Sequence, residues 1–300
     1  MIAIDWGTSS FRAYRVAADG TVSERRSAPL GIMQVEGGRF AQALESQVQD
    51  WLTAGEAPVV MCGMIGSRQG WKEAPYVACP AAPEDIAQRL VEVTWGAQRR
   101  AWLAPGLSSR DDDGVPDVMR GEETQILGVL DELPHAAWIC LPGTHSKWVE
   151  IRGGKIARFR THMTGEVFAV MKAHSILGRM MPDAAPDAQW FDAGVRRARA
   201  AGGLLHHLFG VRARGLFGEL PDAGASSYLS GILIGHELLS IPAPAQSPDS
   251  EQSPVYLLGS PELEQLYRRA LEQLGRPSVS LDPDAAVRGL IRLSRALPRG

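Results

Sequence analysis

Twice in this chain of 300 residues a short apolar segment runs into Gly-Thr-x-Ser, first at Gly7-Thr8-Ser9-Ser10 and again at Gly143-Thr144-His145-Ser146. The surroundings repeat as well. Residues 1–5 read as a strand, 11–17 as a second, Asp19-Gly20 as a two-residue hairpin turn and 21–28 as a third strand. In mid-chain the segments 137–141 and 147–152, the Gly153-Gly154 turn and segment 155–161 follow in the same order. Such a copied β-meander is the signature of an internal duplication. It predicts a first domain over 1–138 and a second over 139–300.

Helical periodicity fills the remainder. Phe40, Leu44, Val48, Trp51 and Leu52 line one helical face, and Ile86, Leu90 and Val93 suggest another helix. Residues 59–64 read as a buried strand. A helix begins near Glu122 and carries Ile126, Leu127 and Leu130. Ser260-Pro261 and Asp282-Pro283 each set an N-cap residue before a first-turn proline, so a helix is expected after both. The Pro-, Ser- and Gln-rich stretch 241–254 reads as a flexible surface loop. Meanders alternating with helices predict an α/β protein.

Composition narrows the partners. Apolar residues make up 45% and charged residues 22%, as in soluble globular proteins, and the net charge of −3 offers no basic excess for nucleic acid or acidic membranes. Arg196, Arg197 and Arg199 read as a solvated helix face. Cys62, Cys79 and Cys140 have no CxxC or metal-ligand spacing, which fits reduced, mostly buried thiols. With neither a charged leader nor an apolar run long enough to span a bilayer, the chain is expected to be cytoplasmic, with no membrane partner. A homodimer is compatible with it.

Several groups can carry chemistry. Asp5 ends the first strand, and the small residues after it can bring backbone N–H groups close to phosphate oxygens, with the Thr8 and Ser10 hydroxyls as further donors. Asp5 is thus a candidate metal ligand for Mg²⁺. Taken alone the loop also reads as an ordinary turn; its second copy, with Leu141 in place of the acid, turns the pair into candidate grips on one nucleotide. Neither is a Walker loop. Gly121-Glu122-Glu123-x-Gln125 stands at a helix start, where the dipole favours an ionised carboxylate. It reads either as simple capping or as the base of a phosphoryl transfer. The string GMIGSRQGWKEAPY at 63–76 offers Arg68 for a carboxylate, Gln69 for hydroxyls, and Trp71, or else forms a surface loop. Gly259-Ser260 allows close approach to a nucleoside or is plain capping, and Lys147 reaches a phosphate or lies exposed on a strand.

Assembled, these strings resemble the acetate and sugar kinase, Hsp70 and actin superfamily, and within it the 2-dehydro-3-deoxygalactonokinase (2-keto-3-deoxygalactonate kinase) family. The resemblance runs nearly end to end: IDWGTSSFRAY, PLGI at 29–32, GMIGSRQGW, DVMRGEETQILG, LPGTHSKWVEI, THMTGEVFAV at 161–170, SYLSGILIGHEL and LLGSPELEQLY. It implies two duplicated ribonuclease-H-like domains of the actin-like ATPase fold with a central nucleotide cleft, and ATP with Mg²⁺ as cofactors. The implied reaction is transfer to the 6-hydroxyl of 2-dehydro-3-deoxy-D-galactonate, in galactonate breakdown. The superfamily's first phosphate loop falls on Asp5, Gly7, Thr8, Ser9 and Ser10, its second on Gly143, Thr144, His145 and Ser146, and its adenosine side on Gly259 and Ser260. Glycerol-kinase-like relatives place a catalytic Asp after a glycine shortly before the second loop. Glu122 stands there, with Glu123 adjacent, so either acid can be the base. Gly31 of PLGI joins Arg68, Gln69 and Trp71 as sugar-acid contacts.

Rival readings follow from the same fold. One is a kinase of another sugar or 2-keto-3-deoxy sugar acid, such as the gluconate-derived epimer. Another is an ATP-driven binding or filament protein, for which 300 residues leave little room. A sugar-responsive DNA-binding regulator is disfavoured by the negative charge and by the lack of a helix-turn-helix segment ahead of Met1.

Overall fold

The computed structural model describes residues 1–53, 57–96, 98–241 and 253–297. Ile2, Ala3 and Ile4 are all buried, so strand β1 (Ile2–Trp6) is covered on both faces and carries an unbroken apolar run. It pairs antiparallel with β2 (Phe11–Val16), which pairs antiparallel with β3 (Val22–Ala28). Helix α1 (Phe40–Thr53) buries Phe40, Leu44, Val48 and Trp51, the face its periodicity selects. Then come β4 (Val59–Cys62), β5 (Tyr76–Ala78), α2 (Pro83–Ala87), β6 (Val91–Trp95), β7 (Arg99–Leu103), β8 (Gly106–Arg110), β9 (Pro116–Met119) and α3 (Glu122–Val129). The main sheet runs β3-β2-β1-β4-β7-β6, with β1–β4 and β4–β7 parallel; β5, β8 and β9 form a small separate sheet.

The second meander is β10 (Ala136–Leu141), β11 (Ser146–Arg152) and β12 (Lys155–His162). It is followed by α4 (Thr164–His174), α5 (Ala188–Ala198), α6 (Gly203–Leu216), α7 (Asp222–Ser240), β13 (Val255–Leu257), α8 (Pro261–Gln273), β14 (Ser278–Ser280) and α9 (Ala285–Ser294). The sheet order β12-β11-β10-β13-β14 repeats the order β3-β2-β1-β4-β7 of the first sheet, and β10–β13 is parallel as β1–β4 is. The duplication legible in the loops therefore extends to the whole five-strand topology. The fold is α/β.

Two compact units result, one of Met1–Ala136, Glu150–Arg160 and Asp282–Gly300, the other of Ala137–Val149 and Thr161–Leu281. In the first, Trp6, Phe11, Phe40, Leu44, Trp51, Met61 and Ile65 form the core. Each such side chain, fully buried, contributes about 1.5–3 kcal/mol. Helix α9 locks onto α3: at Gly289 an added Cβ would lie 1.8 Å from the Thr124 carbonyl oxygen, and Arg292 pairs with Asp131 at 2.9 Å. Arg25 holds Asp284, just ahead of α9, through two hydrogen bonds of 2.5 and 2.7 Å. In the second unit, Trp148, Phe191, Val195, Tyr267 and Leu271 form one cluster and Val211, Tyr228 and Leu229 part of another.

Two sequence expectations need correction. The proposed helix through Ile86, Leu90 and Val93 ends at Ala87, and Val91–Trp95 is a strand, because the stretch VEVTW alternates with period two and is rich in β-branched residues. The last helix starts at Ala285 rather than directly after Asp282-Pro283, since the Asp282 carboxylate instead accepts the Asp284 N–H at 2.8 Å and caps a preceding turn. Most of the expected loop at 241–254 lies outside the described residues. Among the described residues no helix is long and apolar enough to cross a membrane.

Candidate active site

In the first unit three chain segments meet at the carboxyl end of β1. Asp5 stands in register with Cys62 at the end of the parallel strand β4. Gly63 follows with φ +91°, where an added Cβ would sit 2.7 Å from the Trp6 carbonyl oxygen and 3.3 Å from Asp5 Oδ1. Gly121, with φ +107°, precedes α3; its Cβ would sit 3.1 Å from Gly63 Cα. Only glycine accepts both the left-handed backbone and this approach. The two glycines bring the first turn of α3 to Asp5.

The acids there differ sharply. Glu123 is fully buried, and its carboxylate accepts the Gly121 N–H at 2.6 Å and the Thr124 hydroxyl at 2.8 Å. Burial, reinforced by the neighbouring Glu122 charge, pushes it up to about 7. Glu122 is half-buried and accepts the Arg120 N–H at 3.0 Å. Asp5 keeps 16% side-chain exposure and has Arg12 at 3.4 Å. Burial raises its pKa; Arg12 opposes the rise and Glu122 adds to it. The Cys62 thiol is held protonated by burial and by the Asp5 and Glu123 charges, which leaves it no nucleophilic part.

The first loop is held by its own backbone and by a later segment. Gly7 N–H donates to the Ser10 carbonyl at 2.9 Å, and Ile32 N–H to the Gly7 carbonyl at 3.0 Å. Gly31 is buried against the loop, its added Cβ 2.1 Å from the Thr8 carbonyl oxygen. That placement makes Gly31 the seat of the loop. Thr8 and Ser9 remain exposed and Ser10 half-buried.

The second unit repeats this plan. Gly165, after the third strand of its meander, would bring a Cβ within 2.5 Å of the Gly143 carbonyl oxygen, and Glu166 N–H donates to the Thr144 carbonyl at 3.0 Å. Gly259, after β13, faces Pro142, with a Cβ contact of 3.2 Å, as Gly63 faces Trp6. Thr144 and His145 are exposed, but Ser146 is fully buried. Its hydroxyl donates at 2.8 Å to Glu237 Oε1, which also accepts the Trp148 indole N–H at 2.7 Å. The other oxygen of Glu237 accepts the Tyr267 hydroxyl at 2.7 Å and the Thr164 hydroxyl. Lys147 is buried with its ammonium on the His145 carbonyl at 3.1 Å, so it is not the exposed strand residue that one reading allowed. His145 contacts Glu166. Ser260 caps α8, accepting the Leu263 N–H at 3.4 Å, and Gly259 N–H donates to Glu264 at 2.9 Å.

The remaining candidates separate. Arg68 is 88% exposed with Glu73 at 3.7 Å, and Gln69 is exposed beside it. Trp71 stacks on Phe40 at 6.5 Å and meets Trp95 edge-on at 5.4 Å, a packing role. Glu237, Gly165 and Arg120 were not singled out from sequence. A lone acid inside the apolar string SYLSGILIGHEL was the available signal for Glu237.

The family profile described as 2-keto-3-deoxy-galactonokinase matches residues 5–293. A protein of Rhizobium meliloti (strain 1021) named "Probable 2-dehydro-3-deoxygalactonokinase DgoK1" is 41% identical over 302 residues, covering 98% of this chain and 96% of that protein. The 2-dehydro-3-deoxygalactonokinase of Escherichia coli (strain K12) is 36% identical over 291 residues, 97% of this chain and 96% of its own length. A solved Sinorhizobium meliloti structure named for the same activity superposes with a TM-score of 0.87 at 38% identity, over 98% of this chain and 97% of its own. A Porphyromonas gingivalis structure named for N-acetylglucosamine kinase activity, at 13% identity and TM-score 0.50, shares the fold alone. With a profile and two relatives matched over nearly the full length, the chain belongs to the 2-keto-3-deoxy-galactonokinase family.

Proposed function

We propose that this chain transfers the terminal phosphoryl group of ATP to the 6-hydroxyl of 2-dehydro-3-deoxy-D-galactonate, releasing ADP and the 6-phosphorylated acid, as a step of galactonate breakdown. The family membership supports the reaction, and the geometry supports the roles. The Gly7–Ser10 and Gly143–Ser146 loops, one from each copy of the repeat, each offer backbone N–H groups, and in Thr8, Ser9 and Thr144 exposed hydroxyls, to phosphate oxygens of ATP. Gly259 and Ser260 flank its nucleoside end. The sugar acid lies on the first half, 1–138, and the second half, 139–300, carries the adenosine.

Glu122 accepts the proton of the attacking hydroxyl as that oxygen bonds to the terminal phosphorus and the bond to ADP breaks. Glu123, buried and bonded on both oxygens, holds the first turn of α3 in place. Asp5 fits Mg²⁺: it is an oxygen ligand at a loop end, with Glu122 close by and a single arginine opposite, and Mg²⁺ is commonly held by one or two carboxylates plus phosphates and water. When bound there, the ion neutralises charge on the transferring group. Cys62, Cys79 and Cys140 are free, which suits the reducing cytoplasm where we place the reaction.

The observation that carries this reading is the α3 start, where Gly63 and Gly121 bring a half-buried Glu122 beside Asp5. A coupled ATP-consumption assay over a panel of 2-keto-3-deoxy sugar acids tests it. ADP release should depend on the galactonate-derived acid. Steady ATP turnover without any acid, or preference for the gluconate-derived epimer, would overturn it.

A further inference from the structure

Among the described residues, the buried cation Arg120 has no carboxylate partner. It is 9% exposed; its Nη2 donates to the Ala74 carbonyl at 2.7 Å, and its guanidinium lies over the Tyr76 ring, 4.5 Å from the centroid. Nε and Nη1 are shielded from solvent and have no acceptor, and no carboxylate among the described residues lies within ion-pair distance. A guanidinium cannot shed its charge, so burying it unpaired is expensive and calls for a partner that arrives with the ligand. A second unpartnered donor lies alongside. Nη1 faces Gly66, whose added Cβ would be 3.1 Å from it, and the next residue, Ser67, is 9% exposed with a hydroxyl that bonds to nothing.

We infer that Arg120, with the Ser67 hydroxyl, receives the carboxylate of the acceptor sugar acid. This assignment rests on the kinase reading above and names the group that selects an acid over a neutral sugar. Arg120 immediately precedes Gly121-Glu122, and its own N–H donates to Glu122. Its long side chain carries the charge from that backbone towards Gly66. A six-carbon acid needs this separation, with its carboxylate at one end and its reacting hydroxyl at the other. Arg68 is the poorer candidate: at 88% exposure, beside Glu73, its charge is already solvated and paired. Tyr76 and the Gly66–Ser67 backbone cover the guanidinium, so binding requires one of them to move.

The test compares turnover of 2-dehydro-3-deoxy-D-galactonate with that of its uncharged C1 amide, in wild type, Arg120→Gln, Arg120→Lys, Ser67→Ala and Arg68→Gln. The wild type should strongly prefer the acid. Arg120→Gln should raise KM for the acid roughly 30-fold or more and erase that preference, as expected when one partner of a buried charge pair is lost. KM for ATP should stay within about twofold, because uniform binding of only one substrate is removed. Arg120→Lys should restore part of the preference, and Ser67→Ala should raise KM for the acid several-fold. Wild-type preference retained in Arg120→Gln, or lost in Arg68→Gln instead, overturns the assignment. Should Arg120→Gln fail to fold in a thermal melt, wild-type preference in both Arg120→Lys and Ser67→Ala overturns it equally. Absence of wild-type turnover of the acid would sink the kinase reading itself; normal wild-type turnover with unaltered variant preference would sink the Arg120 assignment alone.

Discussion

The two Gly-Thr-x-Ser loops share a scaffold and differ in what surrounds it. Each follows a buried strand, each is seated by a glycine beyond the third strand of its meander, Gly31 or Gly165, and each has a glycine at the end of the neighbouring parallel strand, Gly63 or Gly259. In the first copy the surroundings are acidic: Asp5 ends the strand, and Glu122 and Glu123 come in on α3. In the second, Leu141 replaces the acid and the carboxylate has moved inside, where Glu237 gathers four donors beneath the loop. On the proposed function, the repeat has diverged into a copy whose acids handle protons and metal and a copy whose loop is braced from beneath by Glu237. On that proposal the charge at the first loop faces the chemistry, whereas the Glu237 charge at the second is held by buried hydrogen bonds.

That contrast makes graded predictions. The largest effect should come from the acid facing the reaction: Glu122→Gln should lower kcat roughly 10²–10⁴-fold with nucleotide affinity largely kept. Steady-state kinetics with a nucleotide titration checks this, and near-normal kcat would move the base to Glu123 or elsewhere. Glu237→Ala should act differently. Leaving buried donors of Ser146, Trp148, Thr164 and Tyr267 unpaired should cost about 3–5 kcal/mol of stability, and the loosened second loop should weaken ATP binding more than it lowers kcat. A melt and an ATP-binding curve unchanged from wild type would refute the role of Glu237 as anchor.

Glu123 supplies a pH signature for the first copy. Its pKa is raised from 4.5 to about 7 in the fold, so the native state holds a proton that the unfolded chain releases. This group's contribution to stability is therefore full below pH 4.5, and is lost as pH rises to about 7. Glu123→Gln should gain stability relative to wild type between pH 5 and pH 8, read from denaturant midpoints; an equal offset at both pH values would contradict the burial argument. The smallest effect should be Thr8→Ala. Its hydroxyl is exposed and only supplements backbone donors, so KM for ATP should rise about two- to tenfold.

Much of this was readable from residues alone, and what was not has physical causes. The repeat showed itself because strand, small-residue loop and hairpin turn are local patterns with composition cues. The seats at Gly31 and Gly165 carry no such cue: they matter because chain segments some twenty residues apart touch, and only coordinates reveal contact. Glu237 sat within a string already notable for its resemblance, yet an acid in an apolar helix reads as an oddity until its four donors are seen. The choice between Glu122 and Glu123 was open because both lie in one helical turn, and burial, which separates them, is tertiary. Val91–Trp95 was misassigned since Ile86, Leu90 and Val93 happen to fall at helical spacing across the end of a short helix and the start of a strand.

Amide hydrogen exchange in the presence of a non-hydrolysable ATP analogue bears most directly on the proposal that both loops bind nucleotide. Peptides covering Gly7–Ser10 and Gly143–Ser146 should both gain protection, with the same dependence on analogue concentration. Protection confined to one loop, or absent from both while the analogue is demonstrably bound, would contradict nucleotide binding by both copies.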